Sequence, residues 1–177
     1  MLHTSLLLDG LLHRHADALG NDFNGYRNHV YRVINFCSRL TTLNAEQLEK
    51  IIIAGAFHDL GIWTAGTFDY LPPSRRLAED YLQETGRQAW TADIVAMIDD
   101  HHKIRRSRAG SQGLAEVFRR ADWIDVSHAL IACGLSRRQC REVFAAFPDA
   151  GFHRRLVRLT LRRLRTHPLN PLPMMRL

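Results

Sequence analysis

The sequence predicts an all-α chain, a single-domain bundle of about six to eight helices, and three observations carry that prediction. Apolar residues recur at spacings of three and four along almost every segment, and no clear stretch alternates with period two. Helix start and stop signals punctuate the chain, leaving no linker, repeat or low-complexity tract that would divide it. Its 177 residues, 46% hydrophobic and 24% charged, have the balance of an ordinary globular protein. A chain of this size buries roughly 70% of the surface its unfolded form exposes, enough for a full core without disulfides or a structural zinc. Disordered, fibrous and mini-protein classes are thereby excluded.

Taken in order, residues 26–40 place Tyr26, Val30, Val33 and Cys37 on one helical stripe. Residues 44–60 open with Asn44 and Gln47, the spacing of a capping box, and Gly61 is the expected helix stop. The stretch 62–74 contains Gly66, Pro72 and Pro73 and no helical period, so the longest internal loop is expected there, with Ser74 capping the next helix. Helices follow at about 75–85, 91–103, 113–132 and 136–146, separated by Gly86, by the 107–113 segment with Gly110 and Gly113, and by Gly134. Ser136 and Gln139 form another capping box. A last helix at about 152–166 carries Arg155, Arg158, Arg162 and Arg165 on one face and Leu156, Val157, Leu161 and Leu164 around the other. The domain is expected to span 1–167, followed by a proline-rich tail, 168–177, in which Pro168, Pro171 and Pro173 preclude helix.

The net charge of +6 is unevenly spread, −5 over residues 1–100 and +11 over residues 101–177. A basic half invites anions, although a solvated face explains most such charge. Cys37, Cys133 and Cys140 are odd in number and lack C-x-x-C spacing, so they read as small core residues of a reducing, cytoplasmic compartment. The Leu6-Leu7-Leu8 run has no basic residue before it and is interrupted by Asp9, unlike a signal peptide, and no window approaches the ~20 apolar residues of a membrane span. A soluble protein with no membrane association is expected.

Chemistry is concentrated at His58-Asp59, which ends the apolar run Ile51-Ile52-Ile53-Ala54-Gly55-Ala56-Phe57. A buried carboxylate needs an ionic, hydrogen-bonding or metal partner, and a hydrogen-bonded core pair meets that need as well as a metal does. His29, three after Tyr26 and four before Val33, sits at the edge of an apolar stripe. Asp122, four after Phe118, sits beside another.

Taken together, His29, His58-Asp59 at a helix end and Asp122 on a late helix resemble the H…HD…D signature of the HD-domain metal-dependent phosphohydrolase superfamily. The words Ala56-Phe57-His58-Asp59-Leu60-Gly61 resemble its central motif, and Tyr26 to Val33 suggests a small bacterial-type subgroup. The match covers about residues 24–130. The resemblance implies an all-helical fold and a divalent metal held by His29, His58, Asp59 and Asp122. Two imidazoles and two carboxylates suit Mn²⁺, Fe²⁺, Co²⁺, Ni²⁺ or, less well, Mg²⁺. Such a set leaves two positions of an octahedron for a phosphate oxygen and a water made more acidic by the metal. A nucleotide-like or other small phosphorylated metabolite is the implied substrate, with Asp59 central to catalysis.

Two departures qualify the resemblance. No histidine lies between residues 59 and 101, where two-metal members usually carry one, so one ion is expected rather than two. The adjacent His101 and His102 then serve as a general acid, a phosphate contact or a support for the ligands, and the periodicity lets either face the core. The polar helper that several relatives carry three residues after the HD aspartate is replaced by Ile62, and Asp69 could supply a general acid or base instead, though a loop aspartate also caps turns. Asp125, one helical step from Asp122, could orient a ligand or simply face solvent.

Phosphate contacts are sought at Arg27, at Arg75 and Arg76, and at Lys103, Arg105 and Arg106, each of which is also an ordinary surface charge. No base-reading motif accompanies the arginine stripe of 152–166, so nucleic acid is not the expected partner. A homodimer is expected if that helix or the N-terminal leucines leave an apolar patch. His3, His13, His15, His128, His153 and His167 lie outside the motif and receive no role. The competing readings are a di-iron oxygenase of the same fold, which requires six ligands, and a non-catalytic module whose arginine helix binds a polyanion or acidic partner.

Overall fold

The first helix of the chain opens at a serine, as Ser5 Oγ accepts a hydrogen bond from the Leu8 N–H and starts α1 (Leu6–His13). Leu8, Leu11 and Leu12 make its buried side. A short α2 (Ala16–Leu19) and a 3₁₀ turn lead into α3 (Phe23–Leu40). The computed structural model describes residues 1–107, 113–170 and 172–175; the turn residue Gly110 and the tail residue Pro171 lie outside the described residues.

The Asn44–Gln47 capping box forms as the spacing requires and opens α4 (Ala45–Phe57), which is buried continuously from Lys50 to Phe57. This helix ends at Phe57 rather than Leu60, so that His58, Asp59 and Leu60 make a turn into the short α5 (Gly61–Thr64). Gly61 therefore opens a helix instead of stopping one. A Cβ there would lie 2.5 Å from the Tyr70 carbonyl oxygen, so glycine is needed for the close approach of two chain segments.

The expected 62–74 loop is shorter in the structure. Helix α6 (Leu71–Glu84) takes Pro72 and Pro73 into its first turn, where a backbone N–H has no intrahelical acceptor to lose. Ser74 is not its cap; it lies within the helix, buried, and its Oγ accepts the Gly61 N–H at 2.9 Å. Only residues 65–70 remain irregular.

Helices α7 (Thr91–Asp100), α8 (Leu114–Val126), α9 (Arg137–Ala146) and α10 (Phe152–Thr166) complete the bundle. The predicted capping box of α9 and the predicted bounds of α10 are both present. Helix α8 stops at Val126, short of the predicted 132. There His128 and Ala129 turn to positive φ (50° and 59°), and the Ala129 N–H reaches back to the Ile124 carbonyl at 2.8 Å. Among the described residues there is no strand, and eight of the ten α-helices run for eight residues or more, which is the predicted all-α single domain. No described helix is long and apolar enough to cross a membrane.

Helix α3 packs along α8 and α4, and α7 packs against α4, α6 and α8. The functional side chains project into the space that α3, α4, α7 and α8 enclose. Beyond α10 the tail folds back, burying Met174 in a small second core with Ile62, Phe68, Tyr70 and Leu71.

Candidate metal centre

The structure brings together His29 from α3, His58 and Asp59 from the turn after α4, His101 and His102 from the end of α7, and Asp122 from α8. His29, His58, His101 and Asp122 are wholly buried and Asp59 almost so, leaving His102 as the member with some access to solvent. Burial follows from the sequence: His29 and Asp122 continue the apolar faces of α3 and α8, and the other four residues follow directly on the apolar helices α4 and α7.

The two aspartates face both sides of the cluster. Asp59 Oδ2 lies 3.7 Å from His29 Nε2 and 3.4 Å from His58 Nε2, while its Oδ1 lies 3.3 Å from His101 Nε2. Asp122 Oδ1 lies 3.6 Å from His29 Nε2 and 3.8 Å from His58 Nε2, while its Oδ2 lies 3.8 Å from His102 Nδ1. Donors bound at about 2.1 Å to one ion sit about 3.0–3.4 Å apart, close to this spacing.

Proton bookkeeping makes the case for a cation stronger than spacing does. The outer nitrogen of each buried histidine has a backbone or carboxylate acceptor: His29 Nδ1 donates to Asp125 at 2.6 Å, His58 Nδ1 to the Gly55 carbonyl at 2.8 Å, and His101 Nδ1 to the Ile98 carbonyl at 2.6 Å. A neutral imidazole has one N–H, so all three Nε2 atoms turn lone pairs inward. The Nε2 atoms of His29 and His58 then face each other at 3.0 Å as two acceptors. Asp59 Oδ1, His101 Nε2 and both Asp122 oxygens have no hydrogen-bond partner among the described residues. The 3.3 Å approach of His101 to Asp59 is thus close but poorly aligned for a hydrogen bond. A buried chamber lined with acceptors needs positive charge at its centre. These residues fit a divalent metal.

Titration behaviour agrees. Burial pushes His58 down to about 3, against the pull of Asp59, so it stays a neutral donor. Burial opposes ionisation of Asp59, yet His58, His101 and His29 hold its carboxyl well below the usual range. Asp122 is pushed up to about 7 by burial, with Asp59 and Asp125 adding to the effect of burial and the histidines opposing it. His101 rises despite burial because Asp59 and Asp122 face it. Without a metal the cluster therefore binds protons in its place.

Asp125 is wholly buried rather than facing solvent, and it holds the His29 ring. It accepts from His29 Nδ1 and pairs with the buried guanidinium of Arg32, whose Nη2 reaches Asp125 Oδ2 at 2.9 Å and whose Nη1 reaches the Phe147 carbonyl at 3.1 Å. Phe152 at the start of α10 stacks on the His29 ring, centroids 4.1 Å apart. Sequence reasoning missed Arg32, Phe152 and Tyr70. The buried Tyr70 hydroxyl pairs with His102 Nε2 at 2.6 Å and so stands at the open side of the cluster.

Several expected site residues have other partners or face solvent. Asp69 is exposed, and its backbone N–H closes a local turn onto Thr67 Oγ1, because the next residue, Tyr70, turns inward instead. Arg27 is two residues from His29 and so on the opposite side of α3, where it pairs with Asp9 at 2.8 Å. Arg75 pairs with Asp99 at 3.3 Å on the surface, Lys103 pairs with Asp100 at 2.8 Å, and Arg105 and Arg106 are exposed. Arg76 borders a separate cleft with Pro73 and Asp80. On α10, Arg155 pairs with Asp22 at 3.2 Å, while Arg162 and Arg163 line a cavity of about 280 Å³ with Ile62, Thr67 and Phe68. Val157, Leu161 and Leu164 are exposed beside these arginines.

No family model, curated protein or solved structure matches the chain.

Proposed function

We propose that this chain is an HD-type metal-dependent phosphohydrolase acting on a phosphoester of a small, nucleotide-like metabolite. The observation that carries the proposal is the inward-facing set of His29, His58, Asp59 and Asp122, in which two imidazole nitrogens face each other and Asp59 Oδ1 and both Asp122 oxygens have no hydrogen-bond partner among the described residues. A divalent ion bound there would polarise a phosphate oxygen and acidify a bound water. Asp125 fixes the tautomer and angle of His29, and the Gly55 carbonyl does the same for His58. His102 and Tyr70 share a hydrogen bond at the side of the cluster with access to solvent. Burial, followed by the charge of His101, holds His102 well below the ordinary imidazole range, and Tyr70 is held well above the phenol range, so both are neutral. With His102 neutral and the Tyr70 phenol protonated, the pair would offer a hydrogen bond to a substrate oxygen rather than act as an acid.

A second ion is favoured by one specific feature. Asp59 belongs both to the group with His29 and His58 and to the group with His101 and His102, with one carboxylate oxygen on each side. The reading of two ions sharing Asp59 thus stands beside that of a single ion.

The test is hydrolysis of a panel of phosphomonoesters and nucleotides by protein reconstituted with Mn²⁺, Co²⁺ or Fe²⁺. Activity that requires the metal and disappears in a folded Asp59→Ala variant is expected. Turnover that survives Asp59→Ala, or no turnover of any member by protein shown to hold the metal, would overturn the proposal.

A further inference from the structure

Two histidines with no place in the motif converge on one aspartate just past the C-terminal end of α8. His128 lies just past the end of α8, Asp149 in the turn before α10, and His153 in the first turn of α10; one donor atom from each lies within 4.8 Å of the others. We propose that His128, Asp149 and His153 form a separate site for a borderline divalent transition ion such as Zn²⁺, Ni²⁺ or Cu²⁺. The inference is independent of the phosphohydrolase reading.

The His153 ring supplies the first argument. Its Nε2 faces the Asp125 carbonyl oxygen at 3.0 Å and its Nδ1 faces Asp149 Oδ1. Both neighbours are acceptors, and a neutral imidazole has a proton for only one of them. With Nε2–H given to the carbonyl, Nδ1 and the Asp149 carboxylate stand too close for an ion between them, so a proton joins them until an ion draws both donors apart onto itself. A second proton would satisfy that pair alone.

His128 extends the site beyond what a proton explains. Its ring lies against that of His153, centroids 3.7 Å apart, on the same side as Asp149. Two imidazoles this close repel when both are charged, and an ion accepting both lone pairs removes that conflict.

The backbone presents these donors through sparsely populated conformations. His128, Ala129 and Ala150 all have positive φ, at 50°, 59° and 48°, although none is glycine. The carboxylate of Asp149 is further fixed by the N–H groups of Gly151 at 3.0 Å and His153 at 3.2 Å. Two nitrogens and one carboxylate oxygen suit Zn²⁺, Ni²⁺ or Cu²⁺ better than Mg²⁺ or Ca²⁺, and the exposure of His128 leaves the remaining positions to water. An ion here would clamp the end of α8 to the start of α10. It would thereby brace two supports of His29, the Asp125 carboxylate and the stacked Phe152 ring.

The test uses Zn²⁺ alone, counted per chain by equilibrium dialysis and by competition with a chromophoric chelator, for the wild type, His128→Gln and Asp149→Asn. His128 is exposed and lies outside the buried cluster, so its replacement leaves the fold and that cluster intact. Each variant is expected to bind one Zn²⁺ fewer than the wild type, or to bind that ion at least tenfold more weakly, and His128→Gln to lose the Zn²⁺-dependent part of the rise in melting temperature. Equal stoichiometry and affinity in all three proteins would overturn the proposal, leaving Asp149 and His153 as a hydrogen-bonded pair only.

Discussion

Replacing Asp125 by asparagine isolates the support beneath the metal cluster. The change keeps the shape but removes the negative charge between two wholly buried groups, the Arg32 guanidinium and the His29 ring. Removing one partner of a buried ion pair costs about 3–5 kcal/mol. The lower end applies here, about 3 kcal/mol, since Arg32 keeps the carbonyl oxygens of Phe147 and Pro148 and an asparagine oxygen can still accept one bond. For a chain of 177 residues that corresponds to a fall in melting temperature of about 6–12 °C. His29 also exchanges its carboxylate acceptor for at best a neutral amide oxygen, which lowers metal affinity about 10–100-fold.

The pH dependence has a definite sign. Although burial opposes ionisation, pairing with His29 and Arg32 depresses the folded-state pKa of Asp125. Its stabilisation is therefore fully present above the unfolded value of about 3.9 and is lost as pH falls below it. Urea unfolding at pH 7 should show a lower midpoint with an unchanged slope, and the gap between variant and wild type should narrow below about pH 4. Adding Arg32→Met should recover part of the loss, because an apolar side chain leaves no unpaired charge. A melting temperature within about 2 °C of the wild type, with unaltered metal affinity, would refute the assignment of Asp125 as the support of His29.

Metal binding should release protons: Asp122, raised to about 7, holds a proton near pH 6 that an ion must displace. Calorimetry in two buffers of different ionisation enthalpy should report about one proton or more released at pH 6 and fewer at pH 8, and no release at pH 6 would contradict the ligand role of Asp122. Gly61→Ala should lower the urea midpoint by the equivalent of about 1–3 kcal/mol, because the new Cβ meets the Tyr70 carbonyl rather than a flexible side chain. An unchanged midpoint would mean that α5 and α6 are free to separate.

Local signals were the legible part of the fold. The capping boxes at Asn44 and Ser136 and the apolar period of α10 specify helices from a few neighbouring residues, and those helices start where predicted. Pro72 and Pro73 misled because their effect depends on position: they break a helix interior but fit its first turn. Helix α1 carried a readable signal too, a serine cap three residues before its buried Leu8. The convergence of His29, His58, Asp59 and Asp122 follows from burial demands that each helix states for itself. The role of Asp125 did not, because its partners His29 and Arg32 lie on a helix more than ninety residues away in sequence. Tyr70 was hidden for the same reason, since nothing near it in sequence announces a contact with His102. The choice between His101 and His102 needed the end of α7, which lets His101 point fully inward and leaves His102 at the edge.

The most direct test is anomalous diffraction from crystals grown with Mn²⁺ or Co²⁺ and collected at the metal absorption edge. A peak bonded at about 2.0–2.2 Å to the Nε2 atoms of His29 and His58 and to carboxylate oxygens of Asp59 and Asp122 is the predicted result. Absence of any peak within bonding distance of those four residues, in crystals whose soaking solution holds the ion in excess, would contradict it.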